Sequence, residues 1–347
     1  MEMGKFDFQR IPAPLLSWYR ENKRDLPWRG NPTPYEVWVS EIMLQQTRVE
    51  AVKEYYVRFM RALPNVQALA ECEEEKLLKL WEGLGYYSRV RNMQKAAKQI
   101  LAFYGGEFPC DVKALQGLAG IGSYTAGAIA SIAFGLPVAA VDGNVFRVAA
   151  RLEENSSLIS DPKYRKYLES TLSAVYPSAG KDCADFTQSI FELGALVCKP
   201  QNPDCANCPL QSFCRAYQNG TQASYPVLPA KKEKRQERVY VFLIETPQGI
   251  CIRRREAGVL KGMNEFPSHV VLGGETPENI LNEWGVYAFT EIKRKKYVHI
   301  FTHIRWDILC LHVQADSAPF DTYTVDEIDE SVSLPTAFKQ CQGILYG

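Results

Sequence analysis

The sequence predicts two domains of different class, an all-α domain followed by a smaller α+β domain. The chain has 347 residues, of which 46% are hydrophobic, and this is enough to build two buried cores. From Phe8 to about Tyr217, apolar residues recur at spacings of three and four, which is the period of a helix. Beyond Val239 the pattern changes to the alternation and the turn signals that are typical of strands.

The helical domain is predicted over residues 1–220. Its periodic stretches are APLLSWYREN, EVWVSEIMLQQT, EKLLKLWEGL, SRVRNMQKAAKQILAFY, YTAGAIASIAF and NVFRVAARLEE. Residues 221–238 contain two prolines and a run of lysine and arginine, and such a segment cannot bury apolar surface. We therefore predict that it is a linker.

The second domain is predicted over residues 239–347. RVYVFLIET, the turn Pro247-Gln248-Gly249 and ICIRRRE together predict a β-hairpin. YVHIFTHIRWDILCLHV has further strand character, and ENILNEW between these parts is predicted to be a helix.

Composition and charge set limits on function. Lysine plus arginine equal aspartate plus glutamate at 40 each, so net charge gives no argument for a nucleic-acid partner. The N-terminal stretch has no signal-peptide character, and no segment approaches the roughly 20 apolar residues that span a bilayer. We expect an intracellular protein without a membrane partner, in which thiols stay reduced.

Four cysteines lie close together in the stretch CKPQNPDCANCPLQSFC. Cys198, Cys205, Cys208 and Cys214 are spaced for tetrahedral thiolate coordination. This spacing suits a structural zinc ion or a [4Fe-4S] cluster and does not choose between them.

A glycine-containing turn lies in the stretch VKALQGLAGIGSYTAGAIASIAF. Gly120, Ile121 and Gly122 separate two helical patterns. Glycines turn tightly and leave backbone N–H groups bare, and the next helix begins there with the positive end of its dipole, which together favour phosphate binding. By itself the stretch also fits a plain turn between helices.

Two carboxylates are candidates for chemistry. Glu41 is surrounded by apolar positions three and four residues away, so we expect its pKa to be raised and the group to keep a proton near neutral pH, as a general acid requires. A structural ion pair with a buried arginine is the alternative. Asp142 precedes a helical pattern and is predicted to be its N-cap, where N–H donors and the helix dipole would keep the side chain ionised.

Longer motifs carry a resemblance that extends along nearly the whole chain. They are DLPWR, VWVSEIMLQQTRVE, WEGLGYYSRVRN, the stretch L-x-G-I-G-x-Y-T-A-x-x-I, VDGNVFRV and ELGALVC. With the four cysteines, they resemble the helix-hairpin-helix DNA glycosylases that carry an iron–sulfur cluster, and among them the adenine DNA glycosylases (the MutY family). The resemblance implies that the cysteines hold a [4Fe-4S] cluster.

The same resemblance implies roles for individual residues. Glu41 protonates a flipped-out adenine at N7, Asp142 stabilises the positive sugar, and Asn144 and Tyr124 orient these groups. The adenine pocket is formed by Arg29, Trp28, Leu44 and Gln188. Gln46 and Tyr86 enter the base stack, and the hairpin residues Gly120, Ile121 and Gly122 bind DNA. Plain core packing is the alternative for Trp28, Leu44 and Tyr86.

The residue at position 124 bears on whether the DNA strand is also cut. In related glycosylases that act as lyases, a lysine at this position attacks the sugar as a Schiff-base nucleophile. Tyr124 has no amine, so we expect a monofunctional enzyme that leaves an abasic site.

The second domain resembles the Nudix-like domain of the same family, which recognises 8-oxoguanine opposite the adenine. Glu278 and Glu283 stand without the glutamate-rich metal box of a Nudix hydrolase, so pyrophosphatase activity is not expected. The recognition loop of the family, F-S-H, is present here as Phe301, Thr302 and His303. The extra methyl group of Thr302 weakens the expected contact, and Asn264 replaces a tryptophan of the family.

These features predict a base-excision repair enzyme that removes adenine mispaired with 8-oxoguanine or guanine. Its substrate would be double-stranded DNA, and we expect a monomer in a bacterial cytoplasm. The alternatives are an endonuclease III-like glycosylase and lyase, and a catalytically silent protein that scans DNA for lesions.

Overall fold

The computed structural model describes residues 6–230 and 233–346. The chain divides into two compact units. The first comprises residues 1–71 and 91–230, and the second comprises residues 72–90 and 231–347. Among the described residues, no helix combines the length and the apolar character that crossing a membrane requires.

The part of the chain before residue 220 is helical, as the sequence predicts. Its helices are α1 Pro12–Asn22, α2 Pro34–Leu44, α3 Val49–Ala62, α4 Val66–Glu71, α5 Glu74–Leu80, α6 Ser88–Tyr104, α7 Val112–Gln116, α8 Ser123–Ala128, α9 Gly143–Glu153, α10 Pro162–Ser173, α11 Lys181–Leu196 and α12 Arg215–Gln218. A π-helical turn, Ile129–Ala133, continues α8. Short 3-10 helices are Phe8–Arg10, Cys205–Asn207, Gln211–Phe213 and Gln222–Ser224.

Local sequence signals explain where the helices of the site begin. Thr33 and Glu36 form a capping box at the start of α2, and Pro34 occupies the first turn, where its missing N–H costs nothing. Asp142 caps α9 by accepting a hydrogen bond from the backbone N–H of Val145 at 2.8 Å, which confirms the predicted N-cap.

The core of the first unit joins its N-terminal and later helices. Aromatic and aliphatic side chains of α1, α9, α10 and α11 pack into one buried cluster, which includes Leu15, Phe146, Leu168 and Phe186. Each of these four side chains has no solvent exposure. Three of the four cysteines, Cys198, Cys208 and Cys214, pack against the same cluster.

The second unit contains a mixed sheet. Its strands are β1 Arg235–Thr246, β2 Gly249–Arg254, β3 Asn264–Glu265, β4 Ser268–Val270, β5 Phe289–Ile300, β6 Ile304–Ala315 and β7 Asp321–Tyr323. The order is β3-β2-β1-β6-β5, with β4 paired to β1 and β7 paired to β2. β1 and β6 are parallel, and the other pairs are antiparallel. The same unit contains the helices α13 Pro277–Glu283, α14 Val325–Glu330 and α15 Thr336–Gln342.

The predicted elements of this unit are confirmed, but the predicted boundaries were wrong in two places. β1 begins at Arg235, inside the predicted linker, because its backbone pairs with β6 from that residue onward. Residues 72–90, which we assigned to the helical domain, belong to the second unit. Sequence periodicity marks this segment as helical but does not tell which core a short helix joins.

Candidate active site

A cavity of about 660 Å³ opens in the first unit, among residues of α2, α8, α9 and α11. Nine of the residues singled out from the sequence line it: Trp28, Arg29, Glu41, Leu44, Gln46, Tyr124, Asp142, Asn144 and Gln188. These residues are up to 160 positions apart along the chain, so the fold has gathered them into one site.

Glu41 is a buried carboxyl group of this cavity. Glu41 is only 6% exposed, and its Oε2 accepts a hydrogen bond from the hydroxyl of Tyr124. The pKa of Glu41 is raised to about 7, mainly because burial disfavours the charged form; the hydrogen bond from Tyr124 opposes this shift, and the charge of Asp142 adds to it. The raised pKa that the sequence predicts is therefore confirmed. The alternative of an ion pair is not realised, because no arginine forms a salt bridge with Glu41 among the described residues.

Asp142 is the N-cap of α9, and its carboxylate accepts two hydrogen bonds. Asn144 Nδ2 donates to Oδ2 at 2.7 Å, and the backbone N–H of Val145 donates to Oδ1. Desolvation nevertheless raises the pKa of Asp142 above its usual value, and the hydrogen bonds only oppose this shift. Desolvation, which the sequence does not measure, sets the direction of this shift, and the ionised state of Asp142 stays a prediction.

The approach of α11 to α9 depends on a glycine. A Cβ at Gly194 would lie 2.7 Å from Cβ of Asn144, closer than real Cβ contacts come. The absence of a side chain at Gly194 thus lets the backbone of α11 pass directly beside Asn144, which holds Asp142.

Glu192 is a site residue that the sequence reasoning missed, although it stands in the quoted motif ELGALVC. Its side chain is 1% exposed and pairs with two arginines that line the cavity. Arg24 donates from Nε at 2.8 Å and from Nη2 at 2.9 Å, and Arg29 donates from Nη2 at 2.6 Å. Burial opposes ionisation, but these hydrogen bonds outweigh it and lower the pKa of Glu192 to about 2. The ion group fixes Arg29 in the wall of the cavity.

The remaining wall residues differ in exposure. Trp28 is buried and packs edge-on against Tyr56, with ring centroids 5.4 Å apart. Gln46 lies just beyond α2 with φ of +58°, a left-handed conformation that is uncommon for a residue other than glycine. Strain of this kind persists only where the surrounding structure enforces it, and here it lies at the cavity.

A chain of hydrogen bonds connects Asp142 to the cysteine loop. Asn144 bonds Asp142, and Arg147 Nη2 donates to Asn144 Oδ1 at 2.8 Å. Arg147 also donates from Nε to the carbonyl of Cys198 at 2.7 Å and from Nη2 to the carbonyl of Gly194 at 3.0 Å. Arg147 therefore fixes α9 and the first cysteine to one another.

The cysteine loop is held by a second arginine of α9. Arg151 is 2% exposed and donates from Nη1 to Cys198 Sγ at 3.3 Å and to the carbonyl of Lys199 at 2.8 Å. Its Nε donates to the carbonyls of Gln222 and Tyr225 at 2.9 and 3.0 Å. Cys214 Sγ also donates to the carbonyl of Arg151 at 3.4 Å, so both ends of the loop are bonded to α9.

The four cysteines are partly buried and interact electrostatically with one another. The pKa of Cys208 is raised to about 12, mainly by burial, and the charges of the other three cysteines contribute to this rise. In the part of the chain that the structure describes, no group of three or more His, Cys, Asp or Glu side chains is arranged to hold a single metal ion. A four-iron cluster separates its thiolate ligands more widely than one ion does, so the open arrangement of these thiols does not conflict with such a cluster.

The predicted DNA-binding hairpin lies outside the cavity lining. Gly120 has φ of +75°, and a Cβ there would lie 2.8 Å from Cβ of Asn92, so only glycine fits. Gly122 is the N-cap of α8 and provides no side-chain cap, which leaves the first N–H groups of α8 without such a partner.

The predicted recognition residues form the tip of the β5–β6 hairpin in the second unit. Thr302 and His303 are exposed, whereas the ring of Phe301 packs edge-on against Trp306 at 4.8 Å. Tyr86, also in this unit, is 49% exposed, and its hydroxyl lies 2.9 Å from Thr302 Oγ1. The structure thus brings together two predicted groups, the stacking tyrosine and the recognition loop, that sequence alone does not connect.

Three family models match separate parts of the chain. Residues 39–174 match the HhH-GPD superfamily of base excision DNA repair proteins, and residues 240–342 match the NUDIX domain. Residues 198–214, the cysteine loop, match the iron–sulfur binding domain of endonuclease III. The cofactor of this loop is therefore a [4Fe-4S] cluster, and Cys198, Cys205, Cys208 and Cys214 are the residues available to hold it.

Relatives that match most of the chain show which family it belongs to. An adenine DNA glycosylase of Mus musculus is 34% identical over 91% of this chain and 73% of its own length. The chain belongs to the adenine DNA glycosylase family. Another member, from Arabidopsis thaliana, is 38% identical over 86% of this chain, although the match spans only 56% of that relative's length.

A solved structure supports the fold of the helical part. A non-covalent complex of endonuclease III with DNA is 26% identical, with a TM-score of 0.52 over 62% of this chain and 98% of that one. The helical part of this family member is therefore of the endonuclease III type, and a mixed-sheet domain of the Nudix class follows it.

Proposed function

We propose that this protein hydrolyses the N-glycosidic bond of adenine mispaired with 8-oxoguanine or guanine in duplex DNA and leaves an abasic site. One observation carries the proposal: a carboxyl group with a pKa of about 7, Glu41, lines the same cavity as Asp142. The cavity volume of about 660 Å³ accommodates a flipped-out base and its sugar.

Glu41 acts as the general acid. It transfers its proton to N7 of the adenine, the bond between C1′ and N9 breaks, and the bonding electrons leave with the base. Because Tyr124 occupies Oε2, the proton is carried on Oε1. Protonation before departure matters because neutral adenine is a far better leaving group than its anion.

Asp142 stabilises the positive charge that develops on the sugar. Its carboxylate is held by Asn144 and by the N–H of Val145, so it faces the reacting sugar without reorganisation. A water molecule then adds its oxygen to C1′, and a proton from that water replaces the one that Glu41 gave up.

The walls of the cavity recognise the base. Arg29 is fixed by Glu192 and directs its guanidinium toward polar edges of the adenine, and Gln188 and the apolar faces of Trp28 and Leu44 complete the pocket. Gln46 and Tyr86 each enter the base stack of the bound DNA. The bare N–H groups after Gly120, Ile121 and Gly122 bind backbone phosphate.

The role of the cluster is structural in this proposal. The arginines of α9 bond the loop of residues 198–214, and thereby the loop supports the helix that begins with Asp142. No residue of the loop lines the cavity, so we assign it no step of the reaction.

Phe301, Thr302 and His303 recognise 8-oxoguanine opposite the adenine. Two exposed polar side chains on a hairpin tip anchored by a packed phenylalanine are suited to reading a base edge. Replacing Phe301 and His303 with alanine should reduce the preference for adenine opposite 8-oxoguanine over adenine opposite guanine. An unchanged preference would exclude the loop from recognition.

The test of the proposed activity is single-turnover base release from a duplex with adenine opposite 8-oxoguanine, beside the same duplex with guanine. We expect faster release with 8-oxoguanine and strand breaks only after added alkali. Breaks without alkali, or a covalent complex trapped by borohydride, would instead indicate the endonuclease III-like lyase. DNA binding without any base release would indicate the silent scanning protein.

A further inference from the structure

The segment that contains Tyr86 is bonded to the rest of the second unit by ionic contacts that no sequence motif predicts. We call residues 72–90, which comprise α5 and the loop that follows it, the tyrosine segment. Besides the contact of Tyr86 with Thr302, three of its side chains bond the rest of the second unit: Glu75, Lys79 and Glu82.

Glu82 is the centre of the larger anchor. Its side chain is 9% exposed and accepts bonds from two lysines and one backbone group. Lys79 Nζ lies 3.1 Å from Oε2, the backbone N–H of Leu334 donates to Oε2 at 3.3 Å, and Lys339 of α15 forms an ion pair with Oε1. A carboxylate this well enclosed, with its charge fully paired, holds its surroundings more firmly than an exposed ion pair does.

Lys79 extends this anchor to the end of α14. Its Nζ donates to the carbonyls of Ile328 and Val332 at 3.2 and 3.0 Å. These carbonyls lie where α14 ends and would otherwise lack helical partners, so the ammonium group satisfies them and complements the helix dipole.

The second anchor involves the position where this chain departs from its family. Glu75 forms an ion pair with Arg254 of β2, and Asn264 Nδ2 donates to Glu75 Oε2 at 3.1 Å. The amide of Asn264 therefore binds the tyrosine segment.

The loop between Glu82 and Tyr86 transmits this anchoring because it is rigid. Trp81 is fully buried, and its Nε1 donates to the carbonyl of Gly85 at 3.1 Å. Arg89 Nη2 donates to the carbonyl of Leu84 at 2.9 Å. Tyr86 itself has φ of +48°, so its exposed side chain is projected by an enforced backbone conformation.

We propose that Glu82 is a positioning residue for the recognition of 8-oxoguanine. It holds the tyrosine segment so that the hydroxyl of Tyr86 meets Thr302 at the tip of the recognition hairpin. This inference rests on the proposed function. It adds that Glu82 fixes the position of Tyr86 relative to the recognition loop. Glu82 is not proposed to contact the adenine or the 8-oxoguanine. Its proposed effect is on the relative position of Tyr86 and Thr302.

The experiment compares Glu82→Ala with Glu73→Ala, a matched control in the same segment whose glutamate is exposed and caps α5 without a side-chain hydrogen bond. Single-turnover adenine release is measured for both duplexes, with 8-oxoguanine and with guanine opposite the adenine. We expect E82A to lower the ratio of the two rates by about three- to tenfold, mainly through the 8-oxoguanine duplex, and E73A to leave it unchanged.

A double-mutant cycle separates positioning from general damage. Tyr86→Phe removes the hydroxyl that contacts Thr302, and the inference requires that E82A adds little to the loss already caused by Y86F. Additive effects, or equal slowing of both duplexes by E82A, would overturn it. Should E82A fail to fold, Lys339→Met removes one ion-pair partner and leaves Lys79 and the Leu334 N–H on Glu82.

The outcomes distinguish this inference from the proposed function. A wild-type protein that discriminates between the duplexes while E82A and K339M keep the full ratio would overturn only the role of Glu82. A wild-type protein that releases no adenine would overturn the proposed function and the inference with it.

Discussion

The hydroxyl of Tyr124 donates a hydrogen bond to Oε2 of Glu41. Tyr124 lies in α8 and Glu41 in α2, and the two residues are 83 positions apart in sequence. The contact fixes the carboxyl group and satisfies one of its oxygens, so that the other is available to the substrate. It also opposes the effect of burial on the pKa of Glu41. Tyr124 therefore influences both the place and the acidity of the proposed catalytic acid.

Replacing Glu41 with glutamine should abolish proton donation and preserve the packing. We expect single-turnover release of adenine to fall by roughly 10²- to 10⁴-fold, which is the usual contribution of a general acid. DNA affinity should change little, because the amide is nearly the same size. Glu50→Gln, at an exposed position of α3, is the matched control, and a Glu41→Gln rate close to the wild-type rate would exclude Glu41 as the acid.

The rate of base release should depend on pH through Glu41. Its pKa is about 7 and the active form is protonated, so the single-turnover rate should fall as the pH rises above about 7. The measurement is the rate between pH 5.5 and 9 at fixed ionic strength. A rate that increases through this range would assign the group the opposite role, that of a base.

Tyr124→Phe should move that pH profile. The hydrogen bond from Tyr124 lowers the pKa of Glu41, so its removal raises the pKa and keeps the acid protonated at higher pH. We expect the midpoint of the falling limb to shift upward by roughly one pH unit, the equivalent of one hydrogen bond. A downward shift would mean that Tyr124 favours the protonated form instead.

Arg147→Met should destabilise the first unit. The guanidinium satisfies Asn144 Oδ1 and the carbonyls of Gly194 and Cys198, and the substitution leaves these acceptors without it in a buried region. We expect the free energy of unfolding to fall by roughly 2–4 kcal/mol, measured by urea denaturation. The exposed Arg61 of α3 provides the control substitution, Arg61→Met, and equal effects of the two changes would contradict the role of Arg147.

Much of the fold could be predicted because its signals are local. Three such signals are the apolar periodicity of α9, the capping box at Thr33 and the turn before β2. Each of them is formed by residues only a few positions apart. The boundary at Arg235 could not be predicted in this way. A basic, proline-containing stretch resembles a linker, and its strand forms only because β6, about 70 residues later, supplies hydrogen-bond partners.

The sequence by itself determined the order of helices and strands and the four-cysteine motif, and it predicted the roles of Glu41 and Asp142, because these follow from short-range patterns and from long motifs. Tertiary structure alone decided that Glu192 fixes Arg29, that desolvation governs the pKa of Asp142, and that Glu82 anchors the segment of Tyr86. The physical reason is common to all three. Burial and ion pairing depend on which side chains meet in space, and residues far apart in sequence acquire those neighbours only when the chain has folded.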